Sequence, residues 1–571
     1  MKNQLVAEIF YQIADLLEII GDIPFKSRAY RRAAQTIENL DENIENIVKE
    51  ERVRNIPGVG EGLAKKIKEI VETGGLEYFE KLKKEIPGSL ATLINIPGVG
   101  PKKASVLYKK LGISKVEELK KACEQGKLRD LDGFGEITER NIIRGIKMLE
   151  KTSGRILLNM AYEDGYKYLE YLKKNKKIID VDLAGSLRRM KETIGDLDIL
   201  ASSKHPTEVM DHFVEYPDVK NVLLKGATKT SVVLDDGIQV DLRVVKPESY
   251  GAALQYFTGS KEHNVKLRGI AIRKGYKLSE YGVFKKDTDK YVVGKNEREV
   301  YNKLGLQYIE PELREDRGEI EAAKKKKLPK LVGYGDVKGD FHVHSNWSDG
   351  SDSIEDIAVF AKKQGLSFIG VADHSQSLKV AFGLSEQDVS KKLKEIDKIN
   401  NRFTKFRVLA GTECDIKADG TLDYDYKILK KFDFVCAAVH IRFKMSKDEM
   451  TKRIVKAMEN KYVNILSHPT CRLIGRREPV ELDIEKIIDT AVDTGTFLEI
   501  NSFPDRLDLN DVHIRMAKER KARFAIGTDA HSLEHLRYIR FGIATARRGW
   551  LEKKDVLNTY SIKDIEKRLK H

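Results

Sequence analysis

Cysteine is scarce in this chain: Cys123, Cys414, Cys436 and Cys471 are the four in 571 residues. They lie far apart with no CxxC pair, which argues against a disulfide framework and against a zinc ribbon. No stretch approaches the roughly 18–20 uninterrupted apolar residues that a membrane span needs. Leu5–Ile23 is apolar at helical spacing, but Glu8, Asp15 and Glu18 break it, so no secretory pattern stands at the N-terminus. These absences lead to the expectation of a cytoplasmic, reducing location without membrane contact.

What is abundant is charge. Lys and Arg number 103 against 89 Asp and Glu, a net +14. That excess favours a polyanionic partner, although the sign alone does not separate DNA from RNA or an anionic surface. At 571 residues several domains are expected, because single cores rarely exceed roughly 250–300 residues. Residues 1–150 carry helical periodicity between Gly-rich turns, without a convincing strand. From 150 to 315 strand-like runs appear between helices: Ile178–Ala184, Leu197–Ala201, Ser231–Leu234 and Ile238–Val245, the last two joined by an Asp-Asp-Gly turn. Arg314–Lys330, with lysines at 324–327, reads as a solvated linker. Beyond 338, apolar strands ending near Phe341, Ala372, Ala410, Val439, Leu466, Ile500 and Ile526 alternate with helices, as in a βα barrel with one unit fewer than eight.

In the first third, Asn55-Ile56-Pro57-Gly58-Val59-Gly60 and Asn95-Ile96-Pro97-Gly98-Val99-Gly100 each open a helix, and Leu131–Gly135 is a looser copy. Glycine permits a tight turn and a close approach, and the next helix's first N–H groups can then hold a phosphate without reading a base. Each copy resembles the hairpin of a helix-hairpin-helix motif, so Gly58, Gly60, Gly98 and Gly100 are expected to touch DNA. The segment Phe25–Arg32 resembles the phosphate-binding helix of the lyase domain in polymerase beta-like enzymes. That resemblance implies DNA contacts for Lys26 and Tyr30 and places Lys66 at the Schiff-base position, where an amine can attack an aldehyde. Gly62 stands where lyase-active relatives have a phosphate-contacting lysine.

The centre holds Gly185-Ser186-Leu187-Arg188-Arg189 and then Gly195-Asp196-Leu197-Asp198. Residues two apart on a strand share a face, so Asp196 and Asp198 can share metal ions, with Asp241 as a third carboxylate. Two Mg²⁺ or Mn²⁺ ions suit an in-line displacement at phosphorus. Gly185 and Ser186 offer donors to a triphosphate, Arg189 a planar fork. This pattern resembles the whole polymerase beta-like nucleotidyltransferase superfamily. Tyr256-Phe257-Thr258-Gly259-Ser260, then Asn264 and Arg268, resembles more narrowly the thumb of family X DNA polymerases. The resemblance implies nucleotide binding by Gly185, Ser186, Arg189, Gly195, Tyr256, Phe257, Gly259 and Asn264, with Arg268 on the template strand.

Nine of the 12 histidines lie beyond residue 340. His342, His344, Asp349, His374, Glu413, His440, His468, Asp529 and His531 fall at successive strand ends, which in a βα barrel converge on one mouth. Their order resembles the PHP phosphoesterase family. Up to three Mn²⁺, Zn²⁺ or Fe ions suit such mixed ligands. The expected architecture is multidomain α and α/β: a lyase-like helical domain with the first helix-hairpin-helix (1–85), a helical fingers region (86–150), a nucleotidyltransferase palm (151–250), a thumb (251–315), a charged linker (316–337) and a distorted (βα)7 PHP barrel (338–571). The expected function is short-gap filling in base-excision repair on gapped or nicked DNA with dNTPs. The barrel is expected to add 3′–5′ exonuclease, 3′-phosphatase or abasic-site endonuclease activity, in a monomeric protein.

Overall fold

The computed structural model describes residues 2–569 apart from 21–23, 39, 41–42, 86–89, 95, 97–98, 130, 132 and 153. The chain divides into two compact units, one holding Met1–Ser153 with Leu473–Glu478, the other Gly154–Arg472 with Pro479–His571.

The first unit is helical among its described residues, from Lys2–Ile20 and Pro24–Glu38 to Glu136–Thr152. Val6, Phe10, Ile13, Ala14 and Leu17 recur at helical spacing on the first helix, and all are buried against Ala33, Ala34 and Ile37 of the second. The three Gly-rich turns share one backbone bond: Val59 N–H donates to Ile56 O, Val99 to Ile96 and Phe134 to Leu131, at 3.0, 2.9 and 2.9 Å. In each, the apolar residue between the glycines is buried. Gly58 and Gly133 hold φ near +82° and +81°, which explains glycine at that position.

In the second unit a five-stranded sheet runs in the spatial order Asp180–Leu183, Asp196–Ser202, Gln239–Val245, Lys229–Leu234, Val219–Lys225. Only the Asp196–Ser202 and Gln239–Val245 strands pair in parallel, and that pairing sets Asp198 directly opposite Asp241. The edge strand Val219–Lys225 is mostly exposed, which explains why no alternating pattern marked it beforehand. Helices Tyr250–Thr258 and Lys261–Arg273 follow, then a three-stranded antiparallel sheet and the helix Glu297–Lys303.

The charged segment 316–337 is not a solvated linker. Glu319–Lys324 forms a helix whose Ile320 and Ala323 pack with Leu267, Val300 and Tyr301 in one apolar core. Glu319 is fully buried, its carboxylate 2.6 Å from His263 Nδ1, and Arg314 is buried between Glu297 and Ile309 O. The four lysines at 324–327 are exposed at and just after the end of this helix, while its other face packs inward.

Seven parallel strands then pair in chain order: Gly339–Val343, Phe368–Val371, Arg407–Asp415, Phe434–Ala438, Ile465–Leu466, Phe497–Asn501 and Phe524–Gly527. The seventh returns to the first through a Val343–Ala530 bridge and an Asp529 N–H bond to His342 O of 2.8 Å, nearly closing a TIM-like barrel. The third strand pairs with the second over 407–410 and with the fourth over 411–415, so Glu413 lies inside the strand rather than after it. Phe341, Phe368 and Phe434 fill the floor. No helix among the described residues is long and apolar enough to cross a membrane.

Two candidate active sites

At the palm, the parallel register brings Asp196, Asp198 and Asp241 to one end of one sheet face. Gly185 closes over them. Its φ is +59°, and a Cβ there would lie 2.1 Å from Asp198 Oδ2, so glycine is demanded by conformation and by space. Burial, with Asp196 and Asp241 as like-charged neighbours, pushes the Asp198 carboxyl up to about 7. Burial also acts to raise Asp241, but hydrogen bonds from Lys229, Gln239 and Ser231 outweigh it and hold its carboxyl below the usual range. Lys229 Nζ stands 2.6 Å and Gln239 Nε2 2.8 Å from that carboxylate. Three carboxylates gathered with so few cations form a donor set that fits divalent ions.

The turn residues are placed differently from one another. Gly195 lies against Arg155, where a Cβ would meet the guanidinium at 3.1 Å. Ser186 is half-buried in the turn, and its carbonyl accepts from Lys191 N–H at 3.1 Å. Arg188 is bidentate on Glu297 at 2.8 Å per bond, with Thr258 Oγ1 also at 2.8 Å. Arg189, read as the triphosphate fork, instead faces Glu315 at 3.0 Å and donates to Thr258 O at 2.8 Å. Tyr256 and Phe257 meet edge to face at 5.1 Å, with Arg268 over Tyr256 and Arg243 over Phe257. Asn264 donates to Tyr256 O and Gly259 O and accepts from Gln255, so its amide knits the Tyr-Phe turn. Gly259 is the residue that lets it approach, since a Cβ would sit 2.6 Å from Asn264 Oδ1.

In the barrel mouth three groups of ligand atoms each converge within 4.8 Å: His344, Asp349, His374 and His531; His342, His344 and Asp529; His374, Glu413 and His440. Glu413 is the hub. Its Oε2 lies 3.4, 3.6 and 3.0 Å from His342, His344 and His374, and its Oε1 lies 3.3 and 2.8 Å from His440 and His468. Burial lowers His344, and His531 and His374 lower it further, to about 4. For His440 burial pulls down but Glu413 and Asp415 outweigh it, giving about 10, and Asp349 likewise brings His531 to about 9. Among the described residues, buried imidazole nitrogens of His342, His344, His374 and His468 lie near carboxylates or other rings without making a well-aligned hydrogen bond. Each such orphan costs about 1–3 kcal/mol, a pattern that fits residues built to hold metal ions.

Sequence reasoning missed the groups that orient these ligands. Glu499 accepts from His342 Nδ1 at 2.6 Å and from His468 N–H at 2.6 Å, and Asp415 bonds His440 Nδ1. Asp415 lies two residues from Glu413 on the same strand, so an acid at i+2 of a named ligand was the available signal there. Lys392, fully buried, donates to Val371 O and Gly411 O at 3.0 Å each and pairs with Asp373 at 2.8 Å, bracing the second and third strands below the mouth.

In the helical unit, Lys66 Nζ donates to Tyr30 Oη and lies 3.9 Å over the Tyr78 ring. Burial and nearby Lys26 lower its pKa. Tyr30 is buried on Phe10, and Lys26 is exposed. Gly60 and Gly100 start their helices in extended conformation without a side-chain cap, and at both a Cβ would meet open space. Gly98 lies outside the described residues.

Family profiles match in order along the chain: a helix-hairpin-helix domain at 1–76, a SAM-like helix-hairpin-helix tandem at 90–148, the DNA polymerase beta thumb at 253–315 and the PHP domain at 340–503. The DNA polymerase/3′-5′ exonuclease PolX of Bacillus subtilis (strain 168) is 41% identical over 572 residues, covering 100% of both chains. DNA polymerase lambda of Rattus norvegicus is 24% identical over 345 residues, 54% of this chain and 56% of its own. A Thermoanaerobacter sp. (strain X514) protein named as a probable phosphatase is 33% identical over 204 residues, 34% of this chain and 78% of its own. Similarity along the full length, with hairpins, thumb and PHP barrel in that order, makes this chain a member of the family X DNA polymerases that carry a C-terminal PHP domain.

Proposed function

We propose that this protein fills short gaps in DNA during base-excision repair and trims damaged 3′ ends in its barrel. The observation that carries this reading is the presence, in one compact unit, of an aspartate triad beside a thumb and a separate histidine–carboxylate mouth. At the palm, Asp196, Asp198 and Asp241 would hold two Mg²⁺ or Mn²⁺ ions, which supply charge neutralisation for phosphoryl transfer. The residues do the rest. Asp241, held ionised by Lys229 and Gln239, is placed to receive the primer 3′-hydroxyl's proton. Gly185 and Ser186 present the turn to the triphosphate, and Tyr256 and Phe257 wall the sugar. The oxygen–phosphorus bond forms as the bond to pyrophosphate breaks.

In the mouth the nine ligands would hold up to three Mn²⁺, Zn²⁺ or Fe ions, which supply a nucleophile at neutral pH. A water oxygen bonds to phosphorus, the bond to the penultimate 3′ oxygen breaks, and a nucleoside monophosphate leaves. Glu499 and Asp415 fix the imidazoles throughout. The helix-hairpin-helix turns, with Gly58, Gly60 and Gly100, grip the backbone phosphates. Lys66, desolvated beside Tyr30, is the proposed Schiff-base lysine, and borohydride trapping on an incised abasic duplex checks it.

The central experiment incubates protein with a 5′-labelled primer at a one-nucleotide gap, with Mn²⁺ or Mg²⁺, with and without dNTPs. Asp196→Ala/Asp198→Ala is expected to lose template-directed extension only, and His344→Ala to lose dNTP-free shortening only. A wild-type protein that neither extends nor shortens the primer sinks the reading.

A further inference from the structure

Arg506 stands at the barrel mouth and has no part in the ligand set. It sits in the turn after the sixth strand, its backbone N–H bonded to Phe503 O at 2.9 Å. Its Nε lies 3.1 Å from Asp529 Oδ2, and its side chain is only 20% exposed. Asn501 Nδ2 holds the same carboxylate oxygen at 3.1 Å, so Asp529 turns its other oxygen toward His344 and His342, at 3.2 and 3.7 Å. Burial works against the charge on Arg506, while Asp529, Asp505 and the hub Glu413 favour it.

A largely buried guanidinium beside a mouth that gathers cations is electrostatically costly unless an anion joins it. Among the described residues its ion-pair partner is Asp529, with Asp505 and Glu413 also favouring its charge. Among the described residues neither terminal nitrogen of Arg506 has a hydrogen-bond partner, and its side chain is 20% exposed. The fork's geometry matches two oxygens of one phosphate. Three residues earlier in the same turn, the Phe503 ring meets His535 and Tyr538 edge to face at 5.1 and 5.4 Å. His535 Nδ1 accepts from the backbone N–H of His531 at 3.3 Å, so this aromatic corner continues directly from a ligand of the mouth. An anion fork and an aromatic ring carried by one turn suit a nucleotide, phosphate to one and base to the other.

We propose that Arg506 is an anion subsite of the barrel, holding the non-bridging oxygens of the 3′-terminal phosphodiester of DNA while Phe503 receives the terminal base. This rests on the phosphoesterase reading of the barrel and adds what its substrate touches besides metal. The competing role is that Arg506 only positions Asp529, in which case metal binding and not anion binding depends on it.

The test uses the full chain at saturating Mn²⁺, comparing wild type, Arg506→Gln and Arg506→Lys. It reads the number of bound Mn²⁺ ions by electron paramagnetic resonance. Inorganic phosphate binding is followed through the same spectrum, and KM and kcat are measured for shortening a 5′-labelled primer. Arg506→Gln is expected to bind Mn²⁺ in wild-type number, to weaken phosphate binding by about tenfold or more, and to raise KM for DNA by a similar factor. Arg506→Lys recovers part of both, since the charge remains but the fork does not. Unchanged phosphate binding in Arg506→Gln overturns the proposal, as does a weakening fully accounted for by lost Mn²⁺. The phosphate arm needs no turnover, so failure of the phosphoesterase reading is recognised separately: wild type then binds phosphate through Arg506 but leaves the primer intact, which overturns the DNA assignment.

Discussion

A single glycine fixes the geometry of the palm. Gly185 holds a left-handed φ and packs its Cα where any Cβ would strike Asp198 Oδ2. Gly185→Ala is expected to lower kcat for nucleotide addition at least about tenfold, because a strained turn and a displaced carboxylate each remove about 1 kcal/mol or more from the transition state. Primer shortening by the barrel stays at the wild-type rate in the same preparation, which distinguishes a local defect from misfolding. Lys229 acts at the same scale. Its ion pair helps hold Asp241 ionised and ready for a cation, whereas burial and like charges raise Asp198 to about 7.

At the scale of the element, the third and sixth barrel strands each place two buried polar side chains at i and i+2 on one face, and among them Asp415 and Glu499 orient histidines of the mouth. The third strand carries Glu413 and Asp415; the sixth carries Glu499 and Asn501. Glu499→Gln leaves a hydrogen-bonding side chain of the same size but removes the charge that orients His342 and caps His468 N–H. It is expected to weaken Mn²⁺ binding by about 10–100-fold, read by metal titration, with extension of a gapped primer unchanged. Asp415→Asn should show the same split through His440.

Across the whole second unit, barrel and palm meet through a buried ionic cluster. Arg548 of the last long helix donates to Arg189 O at 2.6 Å and pairs with Glu315 at 3.1 Å and Asp511 at 2.6 Å, while Arg317 joins Asp511 at 2.9 Å. Removing Arg548 leaves two carboxylates without their main partner, and Arg548→Ala is expected to cost about 3–5 kcal/mol. Burial acts to raise Glu315 and Asp511, but Arg548 with Arg189, and Arg548 with Arg317, outweigh it; both carboxyls end up lowered, Asp511 to about 2. A carboxyl with a depressed folded pKa adds stability above its unfolded value and loses it as pH falls. The gap in melting temperature between wild type and Arg548→Ala should therefore be full above pH 4.5 and close as pH falls toward about 2. A gap that persists unchanged at low pH would contradict this account. Because Arg189 is held in the same cluster, its expected contact with a triphosphate requires it to leave Glu315 and Thr258.

The sequence by itself determined what repeats or alternates. The twin hairpins, the aspartates two apart beside a Gly-Ser turn and the histidines at strand ends are local patterns, and local geometry alone puts each on its turn or strand face. The tertiary structure decided everything set by long-range pairing. The parallel register places Asp198 opposite Asp241, and the barrel's closure brings Glu499 to His342 across 157 positions of sequence. The charged run after Arg314 packs as a helix because a buried His263 lies within reach of Glu319, a contact that no window of neighbouring residues contains. Partners at a distance, not residue type, decide that Arg189 faces Glu315 and Arg506 faces Asp529.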